Sequence, residues 1–213
     1  MVNSLNMYQG NEISIANEKI KVCFNWDAFP KQHSMGLIGG LLSGPVSVDC
    51  DASAVFFDRN EKPISTQKNE ACLRYDNDFM FDGAAKHGGN NQSGEGADDE
   101  IIYLDLKAIP SEVESIVFTL DLFKEKKRSR IGKIQNTFIR IIRESDSEQL
   151  GQFDFYLSGG HQLMTVCGIL RRNHDEWLFS PPIHEMVNVK SMKEFIEMLN
   201  WKKYLQHFMA KNG

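Results

Sequence analysis

The chain lacks the cysteine patterns of a zinc site or of a disulfide framework. Its cysteines are Cys23, Cys50, Cys72 and Cys167, and they stand singly, without Cys-x-x-Cys spacing. Such spacing is typical of structural zinc sites and redox motifs, and disulfides belong to oxidising compartments. We therefore expect reduced thiols and a cytoplasmic location.

Basic residues are not in excess, and long apolar runs are missing. The formal net charge of the 213 residues is −5, whereas nucleic-acid binding usually shows as strong basicity. We therefore expect no nucleic-acid partner. No apolar stretch reaches the roughly 20 residues that a membrane helix needs, so we expect no membrane span. The first residues have no basic segment followed by an apolar run, and we expect no secretory signal.

Common catalytic motifs are also missing. The six histidines are scattered without metal-ligand spacing, and there is no Gly-x-Ser-x-Gly nucleophile elbow. The glycine-rich segment 36–44 lacks the Gly-Lys-Ser/Thr ending of a phosphate-binding loop. The sequence therefore carries none of these signatures of serine hydrolases, zinc enzymes or P-loop proteins.

The dominant pattern that is present is the alternation of apolar and polar residues in short segments. A period of two is typical of strands with one buried face, and turn residues separate such segments at 58–61, 146–148 and 173–175. The alternating segments are 20–26, 102–106, 116–122 and 153–155. With 41% hydrophobic residues, the chain can bury a substantial core. The pattern predicts an all-β sandwich or barrel.

After Pro181-Pro182 the apolar period becomes that of a helix. Ser191 is placed to cap its start, and Glu194 completes a capping box. The apolar stripe consists of Met192, Phe195, Ile196, Leu199, Tyr204, Leu205 and Phe208. This amphipathic helix could dock a partner subunit, but a surface helix most often packs on its own domain, and we favour that role.

Acidic and amide side chains are concentrated between Gly89 and Glu100. This segment contains three glycines and four carboxylates, and it has no apolar side chain larger than alanine. Two carboxylates about 5 Å apart repel by roughly 3 kcal/mol at an effective dielectric near 20, so a cluster of them needs a cation, a basic partner or protons. Ca²⁺ takes six to eight such oxygens. Upstream, Asp49 and Asp51 would share one face of a strand.

These residues also carry a resemblance to a known family. The blocks are Val22–Asp27, Asp49–Ser53, Asp82–Gly83, His87–Gly96, Asp98–Glu100, Gln135–Ile141 and Ile169–Trp177. Together and in this order, they resemble the signature blocks of the TerD family of tellurium-resistance and stress-response proteins. The resemblance runs from about residue 10 to about residue 180.

The resemblance implies a two-sheet β-sandwich that binds one or two Ca²⁺ ions and is not an enzyme. The expected ligands are Asp49, Asp51, Asn90, Asn91, Asp98, Asp99 and Glu100. We expect the sandwich over residues 1–182 and a helical extension, 183–213, packed on it. The implied role is that of a binding or scaffold module in tellurium resistance and chemical stress response. Its partners would be other stress-response proteins, and whether these are membrane-associated stays open.

The sequence departs from the family pattern at two positions. Asn90 stands where the family commonly has aspartate, and Ala97 replaces an acidic residue and a glycine. Fewer carboxylates attract a cation less strongly. If the family architecture holds two ions, we expect one of them to be weakened or lost.

Two other functions use the same residues. The first is a metal-dependent hydrolase with the carboxylates around Mg²⁺ or Mn²⁺, and the second is a Ca²⁺-dependent ligand-binding module. The carboxylates lie in a polar segment, whereas acid–base catalysis usually places one of a pair in an apolar environment. A separate basic run, 124–130, is interpreted as a solvated hairpin tip, with an anionic partner as the alternative.

Overall fold

The computed structural model is a β-sandwich. It describes residues 12–28, 50–65, 72–89, 98–122, 134–154, 164–181, 186–187, 189 and 191–198. The strands in these ranges are β1 (Ile13–Ala16), β2 (Lys19–Ala28), β3 (Asp51–Phe57), β4 (Cys72–Leu73), β5 (Phe79–Met80), β6 (Ala85–His87), β7 (Glu100–Asp105), β8 (Ser115–Asp121), β9 (Ile134–Arg143), β10 (Gln149–Asp154), β11 (Met164–Asn173), β12 (Glu176–Ser180) and β13 (Met186–Val187). A short 3₁₀ helix, Phe81–Gly83, lies between β5 and β6, and one α-helix, α1 (Met192–Met198), follows the strands in these ranges. This confirms the predicted fold class.

The strands form two antiparallel sheets. The seven-stranded sheet has the order β1-β12-β11-β8-β3-β4, with β13 also paired to β11. The six-stranded sheet has the order β10-β9-β2-β7-β6-β5. Of the eleven strand pairings in the described ranges, six join strands that are not consecutive along the chain, among them β2 with β9 and β3 with β8. No helix within the described ranges is long and apolar enough to cross a membrane.

The core lies between the two sheets and follows the predicted alternation. Along β7, buried residues alternate with half-buried ones, as a strand with one inward face requires. Aromatic side chains fill the centre: the ring centroids of Phe118 and Phe179 lie 6.2 Å apart, and those of Phe153 and Phe179 lie 5.1 Å apart. Each such side chain contributes about 1.5–3 kcal/mol by leaving water.

The outer face of the seven-stranded sheet is buried as well. Every residue of β3 is buried, although the inner core takes only alternate side chains of the strand. The outward residues Val55 and Phe57 form a second apolar cluster with Met192 and Phe195 of α1. The amide of Glu194 donates to the Ser191 hydroxyl at 3.1 Å, which confirms the predicted cap. The described part of the helix thus packs on the sandwich.

Replacing Phe195 should show how strongly this contact stabilises the protein. The Phe195 side chain is fully buried, and truncating such a residue usually costs about 3–5 kcal/mol. We expect Phe195→Ala to lower the free energy of unfolding by that amount in urea titrations. Lys193→Ala, on the exposed face of the same helix, is the control and should change it by less than about 0.5 kcal/mol. Equal effects of the two would contradict packing.

Candidate metal centre

Strand pairing brings the acidic residues to one end of the sandwich. β7 begins at Glu100, which lies opposite Phe24 in the second half of β2. The amide of Asp99 donates to the Phe24 carbonyl at 2.8 Å, so the ladder reaches beyond the strand. β6 ends beside this segment, with His87 opposite Ile102. We call this region the acidic end, defined by Asp27, Asp51, Asp98, Asp99 and Glu100.

Glu100 connects the two sheets through a buried carboxylate. Its side chain is fully buried, and its Oε2 accepts a hydrogen bond from the Ala52 amide of β3 at 2.6 Å. Its Oε1 is buried and has no hydrogen-bond partner within the described part of the chain. Burial raises the pKa of Glu100, and the charge of Asp51 adds to this rise, whereas hydrogen bonds from His87 and Ala52 oppose it.

Asp99 is the second buried carboxylate with one oxygen unused. Its Oδ2 accepts from the Trp26 amide at 2.7 Å, and its Oδ1 is buried without a hydrogen-bond partner among the described residues. Burial raises the pKa of Asp99 to about 6, the Trp26 hydrogen bond opposes the rise, and the charges of Asp27 and Asp98 add to it. Among the described residues, the charges that act on Asp99 are thus both negative.

Asp98 has a different environment from its two neighbours. Its carboxylate accepts two hydrogen bonds from the Arg140 guanidinium, at 2.7 and 2.6 Å, a bidentate geometry that balances its charge. Behind this pair, burial and then the charge of Asp98 raise the pKa of the Cys23 thiol to about 12. Asp98 is thus already neutralised by a side chain, whereas Asp99 and Glu100 are not.

Further polar groups lie on the outer face of β3. Asp51 lies directly opposite Asp121 of β8, and Ser53 lies directly opposite Thr119. All four residues are at most 5% exposed. The hydroxyls of Ser53 and Thr119 have no hydrogen-bond partner within the described ranges. Oxygen-rich side chains therefore continue from the acidic end along the start of β3.

Comparison with known proteins decides the family. The TerD domain family model matches residues 3–185. The chain belongs to the TerD domain family. It is 32% identical to Tellurium resistance protein TerZ of Serratia marcescens over 171 residues, which cover 78% of this chain and 80% of that protein. It is 28% identical to Stress response protein SCP2 of Bacillus subtilis (strain 168) over 165 residues, which cover 76% and 80%.

Solved structures show the same fold. A homologue of the telluride resistance protein TerD, SCO6318 from Streptomyces coelicolor A3(2), superposes with a TM-score of 0.61 at 13% identity, covering 84% of this chain and 95% of that chain. The protein of unknown function SAV2460 superposes with a TM-score of 0.58 at 21% identity, covering 83% and 91%. At these identities the likeness shows the fold alone.

In this TerD domain, four of the predicted ligands lie within the described residues. They are Asp51, Asp98, Asp99 and Glu100, whereas Asp49, Asn90 and Asn91 lie outside the described ranges. The basic run 124–130 lies outside them too. Across those ranges, no group of three or more histidine, cysteine or acidic side chains is arranged to hold a metal ion. The Ca²⁺ site, and the division of the chain at residue 182, therefore stay predictions.

Three residues of this region did not figure among the expected ligands or their partners. They are Asp27, whose charge raises the pKa of Asp99, Arg140, which pairs with Asp98, and His87, whose Nε2 lies 3.4 Å from Glu100 Oε2. Each belongs to a block that carries the family resemblance. Only their location in those blocks could have indicated a role, because the contacts join residues far apart in the chain.

Asp99 should make the metal-free TerD domain less stable as pH rises. Its folded pKa of about 6 exceeds the ordinary value of 3.8. The folded state therefore holds this proton more tightly, and the resulting stabilisation is complete below the unfolded pKa and is lost as pH rises through the folded pKa. The loss amounts to roughly 3 kcal/mol.

Urea unfolding of the wild type and of Asp99→Asn, in chelator between pH 4 and 7, measures this loss. The difference between the two proteins isolates Asp99 from the other titrating groups. We expect the stability of the wild type relative to the variant to fall across the window. A difference that is constant with pH would contradict the raised pKa.

Proposed function

We propose that this TerD domain is a non-enzymatic, cytoplasmic Ca²⁺-binding protein that serves as a binding or scaffold module in tellurium resistance and chemical stress response. One observation carries the proposal. Asp99 and Glu100 are buried, and each keeps one carboxylate oxygen without a hydrogen-bond partner among the described residues. Unpaired buried carboxylate oxygens are costly, and a divalent cation removes that cost.

The donor chemistry favours Ca²⁺. The oxygens in question belong to carboxylates, and the expected further ligands are the carboxylates of Asp49 and Asp51 and the amides of Asn90 and Asn91. Ca²⁺ prefers hard oxygen donors and accepts irregular geometry, whereas Mg²⁺ requires a near-ideal octahedron and keeps several waters. Asp98 would contribute least, because Arg140 already holds both of its oxygens.

A binding role fits the site better than catalysis does. Two depressions on the described surface lie elsewhere, one lined by residues that include Ser14, Arg143 and His174, the other by residues that include Lys86 and Tyr103. Neither of these two depressions is lined by Asp99 or Glu100. The compared relatives are named for resistance and stress rather than for a reaction, and the hydrolase alternative gains no support from them.

The ion's role would be to hold the two sheets together at the acidic end. Glu100 belongs to the six-stranded sheet and bonds to Ala52 of the seven-stranded sheet. A cation that neutralises Glu100 stabilises this contact, so binding is linked to folding. The protein would thus present a fixed surface to other stress-response proteins only when Ca²⁺ is bound.

Calorimetric Ca²⁺ titration of the metal-free protein, with melting temperature as a second readout, tests the proposal. We expect binding heat and a higher melting temperature, since a ligand at 100 times its Kd stabilises by about 2.7 kcal/mol. Asp99→Asn and Glu100→Gln should weaken binding at least tenfold. Glu112→Gln, an exposed glutamate in the loop between β7 and β8, is the matched control and should bind as the wild type does.

Two results would contradict the proposal. If millimolar Ca²⁺ produces neither heat nor a shift in melting temperature in the wild type, the protein has no functional Ca²⁺ site. A response to Mg²⁺ as strong as that to Ca²⁺ would contradict the choice of ion.

A further inference from the structure

We propose that His87 is a positioning residue for the Ca²⁺ site, an inference that rests on the proposed function. It would not touch the ion. Instead, its two ring nitrogens fix three segments that carry expected ligands: the start of β3, the start of β7 and the segment that begins at Gly89. The following contacts carry the inference.

The two nitrogens of His87 have different partners, and these assign the ring proton. Nδ1 lies 3.1 Å from the Gly89 amide, which can only donate, so Nδ1 accepts. Nε2 lies 3.2 Å from the Ala52 carbonyl, which can only accept, so Nε2 carries the proton and donates. The side chain is fully buried. Both nitrogens are therefore engaged in a dry environment, where losing a partner is costly.

On the β3 side, His87 and Glu100 hold the same residue from the other sheet. The Ala52 amide donates to Glu100 and its carbonyl accepts from His87. Ala52 lies opposite Leu120 of β8. Because the amide and the carbonyl of Ala52 bond to Glu100 and His87, we assign Ala52 and Leu120 as a non-hydrogen-bonded pair of the β3–β8 ladder. On the other side, β4 pairs with β3 only from Ala54 onward. At Ala52, which β4 does not reach, the side chains of Glu100 and His87 therefore make the hydrogen bonds that a neighbouring strand would make.

On the β7 side, His87 limits the movement of Glu100. The same Nε2–H that donates to Ala52 lies 3.4 Å from Glu100 Oε2. Oε2 is thus held by Ala52 and His87 together, and Oε1 has no hydrogen-bond partner in the described ranges. An ion that binds Oε1 would find the carboxylate already oriented.

On the loop side, His87 fixes where the ligand-bearing segment begins. Gly89 has a φ of +108°, a backbone conformation that side chains other than glycine rarely adopt. Its amide is held by His87 Nδ1, and Asn90 and Asn91 follow directly in sequence. The ring therefore sets the direction in which the chain leaves β6 toward these two expected ligands.

Residues that orient metal ligands without touching the metal typically change its affinity by 10–100-fold when replaced. We expect His87→Leu, which removes both sets of hydrogen bonds, to raise the Kd for Ca²⁺ by that factor. His87→Gln places an amide N–H near the position of Nε2 and keeps the bond to Ala52, whereas His87→Asn places an oxygen near the position of Nδ1 and keeps the bond to Gly89. Each of these should recover part of the affinity.

A control separates positioning from general destabilisation. Arg172 donates to carbonyls of the loop between β7 and β8 at the opposite end of the sandwich, Val113 among them. Arg172→Lys should lower the melting temperature without changing the Kd for Ca²⁺. Calorimetric titration of all variants, with melting temperatures measured in chelator, gives the comparison.

The possible results divide cleanly. If the wild type binds Ca²⁺ and His87→Leu binds it with the same Kd, this inference is overturned and the proposed function is not. The inference is also overturned if Arg172→Lys raises the Kd for Ca²⁺ as much as His87→Leu does. A wild type that does not bind Ca²⁺ would overturn the proposed function and this inference together. If His87→Leu does not fold, amide exchange of the wild type decides: saturating Ca²⁺ should slow exchange at Ala52 and Gly89, and unchanged exchange would overturn the inference.

Discussion

The hydrogen bond from the Ala52 amide to the buried Glu100 carboxylate is the contact on which the acidic end depends. It is 2.6 Å long and joins β3 of one sheet to β7 of the other. Burying a carboxylate costs several kcal/mol, and the contacts from Ala52 and His87 do not fully offset that cost, because the pKa of Glu100 is still raised. The remaining cost has to be met by a proton or a cation. The raised pKa of Glu100 and the proposed Ca²⁺ site are therefore two consequences of one buried charge.

The fold could be predicted from the sequence where the controlling interactions are local. The alternation over 20–26 gave the inward face of β2, and Ser191 marked the start of α1 because a cap acts within one turn. The complete burial of β3 could not be predicted in the same way. Val55 and Phe57 face outward, and they are buried because α1, far away in the sequence, covers them. Tertiary contacts of this kind produce no alternation of apolar and polar residues within the strand from which they could be predicted.

The candidate site shows the same limit. The concentration of carboxylates and the resemblance to the TerD family indicated which residues to consider, but not how their environments differ. Arg140 neutralises Asp98 across 42 residues of sequence, and His87 reaches Ala52 across 35. These pairings depend on strand order. Three consecutive acidic residues therefore look equivalent in the sequence. The fold pairs one of them with arginine and buries the other two, each with one oxygen that no described residue hydrogen-bonds.

This difference also gives a physical meaning to the departures from the family pattern. Every additional carboxylate near Asp99 raises its pKa further, as Asp27 and Asp98 already do, and so makes the metal-free state more costly to ionise. An amide at position 90 still offers an oxygen to a cation but adds no charge. In the proposed Ca²⁺ site, asparagine in place of the family's aspartate would therefore attract Ca²⁺ less strongly, and it would add no negative charge to the metal-free protein.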